Sequence, residues 1–170
     1  NYSIYFLNDN FLYKNLISIP NLDIEKEIKI HKCSFKDLRK VYEVELESFD
    51  NPYPFPIFVG YLIKYSDGFL IAKINDHIVG YIIGIIEKNI GTIVSIAVKK
   101  DYRKKGIGKK LLDSIIEYFK SRNVSLVNLQ VRIDNYEAIS FYEKNGFKKV
   151  KVLKNYYSDG CDAFLMEKKV

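Results

Sequence analysis

Cysteine and histidine are nearly absent from this 170-residue chain, which has only Cys33, Cys161, His31 and His77. A structural zinc site takes four such ligands, often in close pairs, and these four have no such spacing. Neither a metal site nor a disulfide framework is expected. Long apolar runs are also missing: none approaches the roughly 20 residues that span a bilayer, so no membrane association is expected. Residues 1–10 show no basic stretch followed by an apolar core, so no secretory leader is expected and the chain reads as cytoplasmic. No internal repeat or low-complexity linker stands out, and the length suits one domain with its own core. Two nucleotide signatures are missing as well. There is no G-x-x-x-x-G-K-[S/T] loop, and the third glycine of a dinucleotide fingerprint starting at Gly106 and Gly108 is replaced by Leu111.

What the chain does have is positive charge. Lys plus Arg exceed Asp plus Glu by 27 − 21 = 6, a long-range bias towards anionic partners. Seven of these cations lie close together: Lys99, Lys100, Arg103, Lys104, Lys105, Lys109 and Lys110. No RNA-binding or helix-turn-helix signature accompanies them, so nucleic acid is not the expected partner.

The apolar pattern sets out the elements. Residues 1–26 are aromatic and irregular, interrupted by Pro20, and read as an N-terminal extension packed on or beside a domain of residues 27–170. Alternation over residues 27–32 predicts an edge strand. Ser34-Phe35-Lys36-Asp37 resembles a capping box. Leu38, Val41, Tyr42, Glu45 and Phe49 follow at helical spacing, until the prolines at 52, 54 and 56 break the helix. A second helix is predicted over 57–65. Strands are predicted over 69–74, 78–87 and 92–98, the last so apolar that it should be buried on both faces. Ile107, Leu111, Leu112, Ile115, Ile116 and Phe119 form one helical stripe. A strand over 126–131, a helix over 136–144 stopped by Asn145-Gly146, and strands over 147–153 and 163–168 complete the chain.

The chemistry centres on Arg103-Lys104-Lys105-Gly106-Ile107-Gly108, between a buried strand and an amphipathic helix. A helix N-terminus presents unpaired N–H groups and the positive end of the peptide dipoles. Glycines let the backbone approach a phosphate closely. Together with the flanking cations, this turn fits a pyrophosphate.

R-x-x-G-x-G after an apolar strand resembles the coenzyme A turn of the GNAT acetyltransferase superfamily. Ser95-Ile96-Ala97-Val98 resembles the splayed strand of that family. The run from Asn135-Tyr136-Glu137-Ala138 through Phe141-Tyr142 to Gly146-Phe147 resembles its next motif. The stretches 150–157 and 160–166 narrow the likeness to protein N-terminal acetyltransferases, including those that modify a ribosomal protein. The resemblance spans about residues 27–168. It implies a single α/β domain with a central, mostly antiparallel mixed sheet, splayed strands and flanking helices. It also implies acetyl-CoA as co-substrate and protein or peptide N-termini as partners, ribosomal proteins among them.

Residue by residue, the resemblance implies that Ile96, Ala97 and Val98 line the pantetheine arm, with the Val98 N–H aimed at the thioester oxygen. Arg103, Lys104, Lys105, Gly106, Ile107, Gly108 and Lys109 would hold the pyrophosphate, and Asn135 the cofactor arm. Tyr142 would protonate the departing thiolate. Phe49 and Tyr53 would form one wall of a peptide site, Tyr156 and Tyr157 the other. Bacterial relatives carry Glu where this chain has Gln130, in Leu129-Gln130-Val131-Arg132. Glutamine cannot take a proton at neutral pH but can orient a water. A base is then sought among Glu45, Glu47 and Asp50. Two alternatives stay open: acetylation of a lysine side chain or small amine, and a non-catalytic coenzyme A-binding module.

Overall fold

The computed structural model describes residues 27–170; the expected extension at 1–26 lies outside the described residues. Strand β1 (Lys29–Lys32) leads to a 3-10 turn, Phe35–Asp37, and helix α1 (Leu38–Ser48). Ser34 N–H donates to Asp37 Oδ2 at 3.0 Å, the return half of a capping box. Helix α2 (Phe55–Tyr65) starts two residues earlier than its periodicity predicts. Pro56 falls in its first turn, where a missing N–H costs nothing because that group has no helical partner. The meander follows as β2 (Phe69–Ile74), β3 (His77–Glu87) and β4 (Ile90–Val98). Helix α3 (Ile107–Ser121), β5 (Leu126–Arg132), α4 (Tyr136–Lys144), β6 (Lys148–Leu153) and β7 (Ala163–Lys169) close the domain.

The seven strands form one sheet in the order β1-β2-β3-β4-β5-β7-β6. Every neighbouring pair is antiparallel except β4–β5. This is the mostly antiparallel mixed sheet with flanking helices that the motifs imply. One face is covered by α3 and α4. Ile107, Leu111, Leu112, Ile115, Ile116 and Phe119 are all buried there, so the predicted stripe is the core face of α3. The other face is covered by α1 and α2, with Phe58, Phe69 and Tyr81 at its centre. Phe119 lies flat on the sheet because β3 and β4 have glycines beneath it. A Cβ at Gly84 would sit 2.7 Å from Phe119 Cζ, closer than packed atoms come.

Strand β4 departs from expectation. It is not buried on both faces: Val94, Ser95, Ile96 and Val98 are only half-buried. The cause is that β5 leaves its side after three residues.

Candidate active site

Three rungs join the parallel strands: Ile90 to Leu126, Gly91 to Val127 and Thr92 to Asn128. Thr92 Oγ1 donates to Asn128 Oδ1 at 2.7 Å across the last of them. Beyond that fork β4 stays on β3 as far as Val98, and β5 stays on β7 as far as Arg132. The facing edges therefore border a gap. Successive N–H groups of a strand point to opposite edges. Lys99 donates its N–H to Val79 O on the β3 side at 2.8 Å. The N–H of Val98 therefore opens into the gap, and that of Ile96 with it, while Ala97 is buried on the α1–α2 face.

The basic turn follows at once. Lys104 and Gly106 have φ of 60° and 81°, the left-handed region that suits Gly106 as N-cap of α3. No side chain caps this helix, and its first turn has no acid. Its ladder opens with Lys110 N–H to Gly106 O at 3.0 Å. By helical counting, the N–H groups of Ile107, Gly108 and Lys109 lie ahead of that ladder, at the positive end of a 15-residue helix. A Cβ at Gly108 would lie 3.5 Å from Phe141 Cζ and 4.0 Å from Val98 Cγ2. The turn, the end of β4 and α4 thus meet at one place.

The cations around the turn are not equivalent. Arg103 Nε donates to Val98 O at 2.9 Å, tying the strand end to the turn. Lys109 Nζ pairs with Asp113 at 2.6 Å, but both side chains are more than half exposed, so the pair is worth under about 1 kcal/mol. Lys104 is exposed and Lys105 half-buried.

Helix α4 presents Tyr142 from the α3 side of the sheet. The ring is 6 % exposed, edge-on to Phe141 at 5.3 Å and to Phe147 at 5.6 Å. Burial, and then the neighbouring Tyr157 oxygen, hold its phenol well above the ordinary tyrosine value, so it keeps its proton. Its hydroxyl makes no hydrogen bond among the described residues. Asn135 acts first as the N-cap of α4: its Oδ1 accepts the Ala138 N–H at 3.1 Å. Asn135→Ala should therefore lower stability by about 1 kcal/mol through the lost cap, read as a shift in denaturant midpoint. An unshifted midpoint would remove the capping role.

On the opposite face the tyrosines gather. Tyr156 and Tyr157 stand edge to face at 5.1 Å. Burial first, and then the Tyr61, Tyr156 and Glu45 oxygens, raise the Tyr53 phenol. Tyr53 and Tyr156, one from each expected peptide wall, are near enough to interact electrostatically, and Phe49 is exposed at the end of α1. Of the three acids, Glu47 and Asp50 are exposed while Glu45 is buried at 1 %. On β5, Val127, Leu129 and Val131 enter the α3 core, so Gln130 projects to the α1–α2 side.

Two groups escape the sequence reading as site residues. Arg132, at the end of β5, bonds Asp134 at 3.1 Å and Asp159 at 2.8 Å, and lies 4.9 Å from the Tyr157 ring. It anchors the loop that carries both tyrosines, and its place in Leu-Gln-Val-Arg, next to the gap, was the available signal. Tyr81 gave none, because an aromatic in a buried strand looks like core.

Residues 35–147 match the acetyltransferase (GNAT) family. An uncharacterised N-acetyltransferase of Methanocaldococcus jannaschii is 43 % identical over 141 residues, covering 82 % of this chain and 90 % of that protein. An N-alpha-acetyltransferase of Saccharolobus solfataricus is 37 % identical over 163 residues, covering 88 % and 98 %. The crystal structure of Ard1 from Thermoplasma volcanium superposes with a TM-score of 0.81 at 31 % identity, covering 85 % of this chain and 98 % of that one.

Proposed function

Because the chain belongs to the acetyltransferase (GNAT) family, we propose that it moves the acetyl group of acetyl-CoA to the α-amino group of a protein N-terminus. It is an acetyl-CoA-dependent N-acetyltransferase. The observation that carries the finer reading is the gap between β4 and β5. It joins an uncapped helix N-terminus on the α3 side to Tyr53, held by Glu45, and the Tyr156–Tyr157 pair, held at Arg132, on the α1–α2 side. A phosphate-bearing arm and an extended peptide can then meet at the Val98 N–H.

In this reading the first-turn N–H groups of α3, with Lys104 and Lys105, bind pyrophosphate. The Val98 N–H stabilises the oxygen that gains charge as the amine attacks, a contribution of about 3 kcal/mol for one such donor. Tyr142 gives its proton to the departing sulfur. Phe49, Tyr53, Tyr156 and Tyr157 hold the first residues of the polypeptide, and Gln130 orients a water near the amine. Nδ2 of Asn135 is the atom left to meet the cofactor arm. Ribosomal proteins as targets and a cytoplasmic location belong to the same proposal. Among the described residues, no helix is long and apolar enough to cross a membrane.

The test is thiol release from acetyl-CoA with two peptide sets, one with free N-termini and one N-blocked but containing lysine. Mass spectrometry should find acetyl on the α-nitrogen of the first set. Acetylation confined to the blocked set would make the enzyme a lysine acetyltransferase, and cofactor binding without thiol release would make it a coenzyme A-binding module.

A further inference from the structure

Glu45 breaks the apolar stripe of α1, between Val41 and Val44, both 0 % exposed, and the sheet. A carboxylate is costly to bury unless its oxygens are bonded. Here Oε1 accepts the Tyr53 N–H at 2.9 Å and Oε2 accepts the Tyr81 hydroxyl. Tyr81 is itself 0 % exposed, and its oxygen lies 2.8 Å from Ser95 Oγ. A phenol has one proton. With that proton directed at Glu45, Ser95 is the donor in the second contact. The three groups form a directed chain from Ser95 through Tyr81 to Glu45.

The outer end of this chain lies at the gap. Tyr81 pairs with Ala97 and Ile83 with Ser95, so all four side chains share the α1–α2 face. Ser95 is half-buried and stands three residues past the fork at Thr92. Gln130, from the other bank, projects to the same face. A glutamine there takes no proton, yet the reaction needs a neutral amine.

We propose that Ser95, Tyr81 and Glu45 form a proton relay that accepts the proton of the incoming ammonium group. This rests on the reading that the substrate amine enters the gap from the tyrosine side. The ammonium gives a proton to Ser95 Oγ, directly or through one water. Ser95 passes its own proton to Tyr81 Oη, and Tyr81 passes its own to Glu45 Oε2. The nitrogen lone pair then attacks the thioester carbon. As the adduct collapses the C–S bond breaks, the departing thiolate takes the Tyr142 proton, and the second proton of the nitrogen passes through water to the Tyr142 oxygen, leaving a neutral amide and a free thiol. Once the product has gone, the proton returns along the same hydroxyls to solvent. Burial, then the Glu45 carboxylate, keep the Tyr81 phenol far above its ordinary value, so it serves as a hydroxyl and never as a phenolate. Among the described residues, the titratable groups besides Glu45 that act on Tyr81 and Tyr53 are phenols: Tyr53 on Tyr81, and Tyr61 and Tyr156 on Tyr53.

The experiment is kcat/KM against pH for wild type, Ser95→Ala, Ser95→Thr and Tyr81→Phe, on one peptide with a free N-terminus that wild type acetylates. Ser95→Ala leaves the Tyr81–Glu45 bond intact, so it tests the relay even if Tyr81→Phe loses stability. An α-amine is mostly protonated at about pH 6.5 and mostly neutral at about pH 9.5. Ser95→Ala and Tyr81→Phe should lose about tenfold or more at the lower pH and come within about twofold of wild type at the higher one. Ser95→Thr, which keeps the hydroxyl, should follow wild type. Loss by the same factor at every pH, or no loss at all, overturns the relay. If wild type acetylates lysine peptides instead, the α-amine reading fails, and the same comparison on those peptides, with the pH range raised, still decides the relay.

Discussion

Gly108→Glu should lower acetyl-CoA affinity about a hundredfold, or about 2.7 kcal/mol, without lowering the melting temperature. The two halves of this expectation have separate causes. Gly108 is the second residue of α3, and its Cβ would meet Phe141 at 3.5 Å, an ordinary contact. Replacing glycine within a helix gains about 0.5–1 kcal/mol, and an acid in the first turn, where α3 has none, gains about 0.3–1 more. The fold should hold or tighten. The same carboxylate, however, occupies the anion site and repels a pyrophosphate there. Gly106 is a poorer place for this test. Its φ of 81° puts any side chain under left-handed strain of about 1–2 kcal/mol, so lost binding could come from a distorted turn. Titration calorimetry with acetyl-CoA, beside a thermal melt, checks both halves. Unchanged affinity in a folded Gly108→Glu protein moves the phosphate site away from this turn.

The sequence made legible whatever follows from short-range pattern. The stripe from Ile107 to Phe119 names the core face of α3, and Gly106 marks where that helix starts. The order of strands and helices is read correctly along the chain for the same reason. Non-local geometry was less accessible. The apolar composition of β4 suggests burial on both faces, but exposure depends on where β5 parts from it, and that is set by pairing 36 residues away, as in Thr92 with Asn128. Glu45 shows the same limit. Its helical spacing with Val41 and Tyr42 was visible, yet its burial rests on partners Tyr53 and Tyr81, 8 and 36 residues away. Asn135 illustrates a different difficulty. One side chain meets two demands, and the cap it makes on α4 is visible only once the helix start is located.

Tyr142→Phe should reduce kcat at least about tenfold, and up to about a hundredfold, with acetyl-CoA affinity near that of wild type. The substitution removes one hydroxyl and keeps the ring contacts with Phe141 and Phe147. No hydrogen bond is lost with it, because none is made to that oxygen among the described residues. Stability should therefore change by less than about 0.5 kcal/mol, and any fall in rate belongs to the chemistry. Burial holds the phenol above its ordinary value, which keeps it protonated at neutral pH and able to donate. A departing thiolate with an ordinary thiol pKa of about 8.5 is a good but not ideal leaving group, so a donor at the sulfur lowers the barrier to its departure. Raising the pH should not rescue Tyr142→Phe, because what is missing is an acid and not a base. That separates it from Ser95→Ala, whose deficit should close as the amine becomes neutral. Single-turnover acetyl transfer measured across the pH range distinguishes the two. A Tyr142→Phe enzyme with full kcat would show that the thiolate leaves unaided, and Tyr142 would then be a core aromatic of α4.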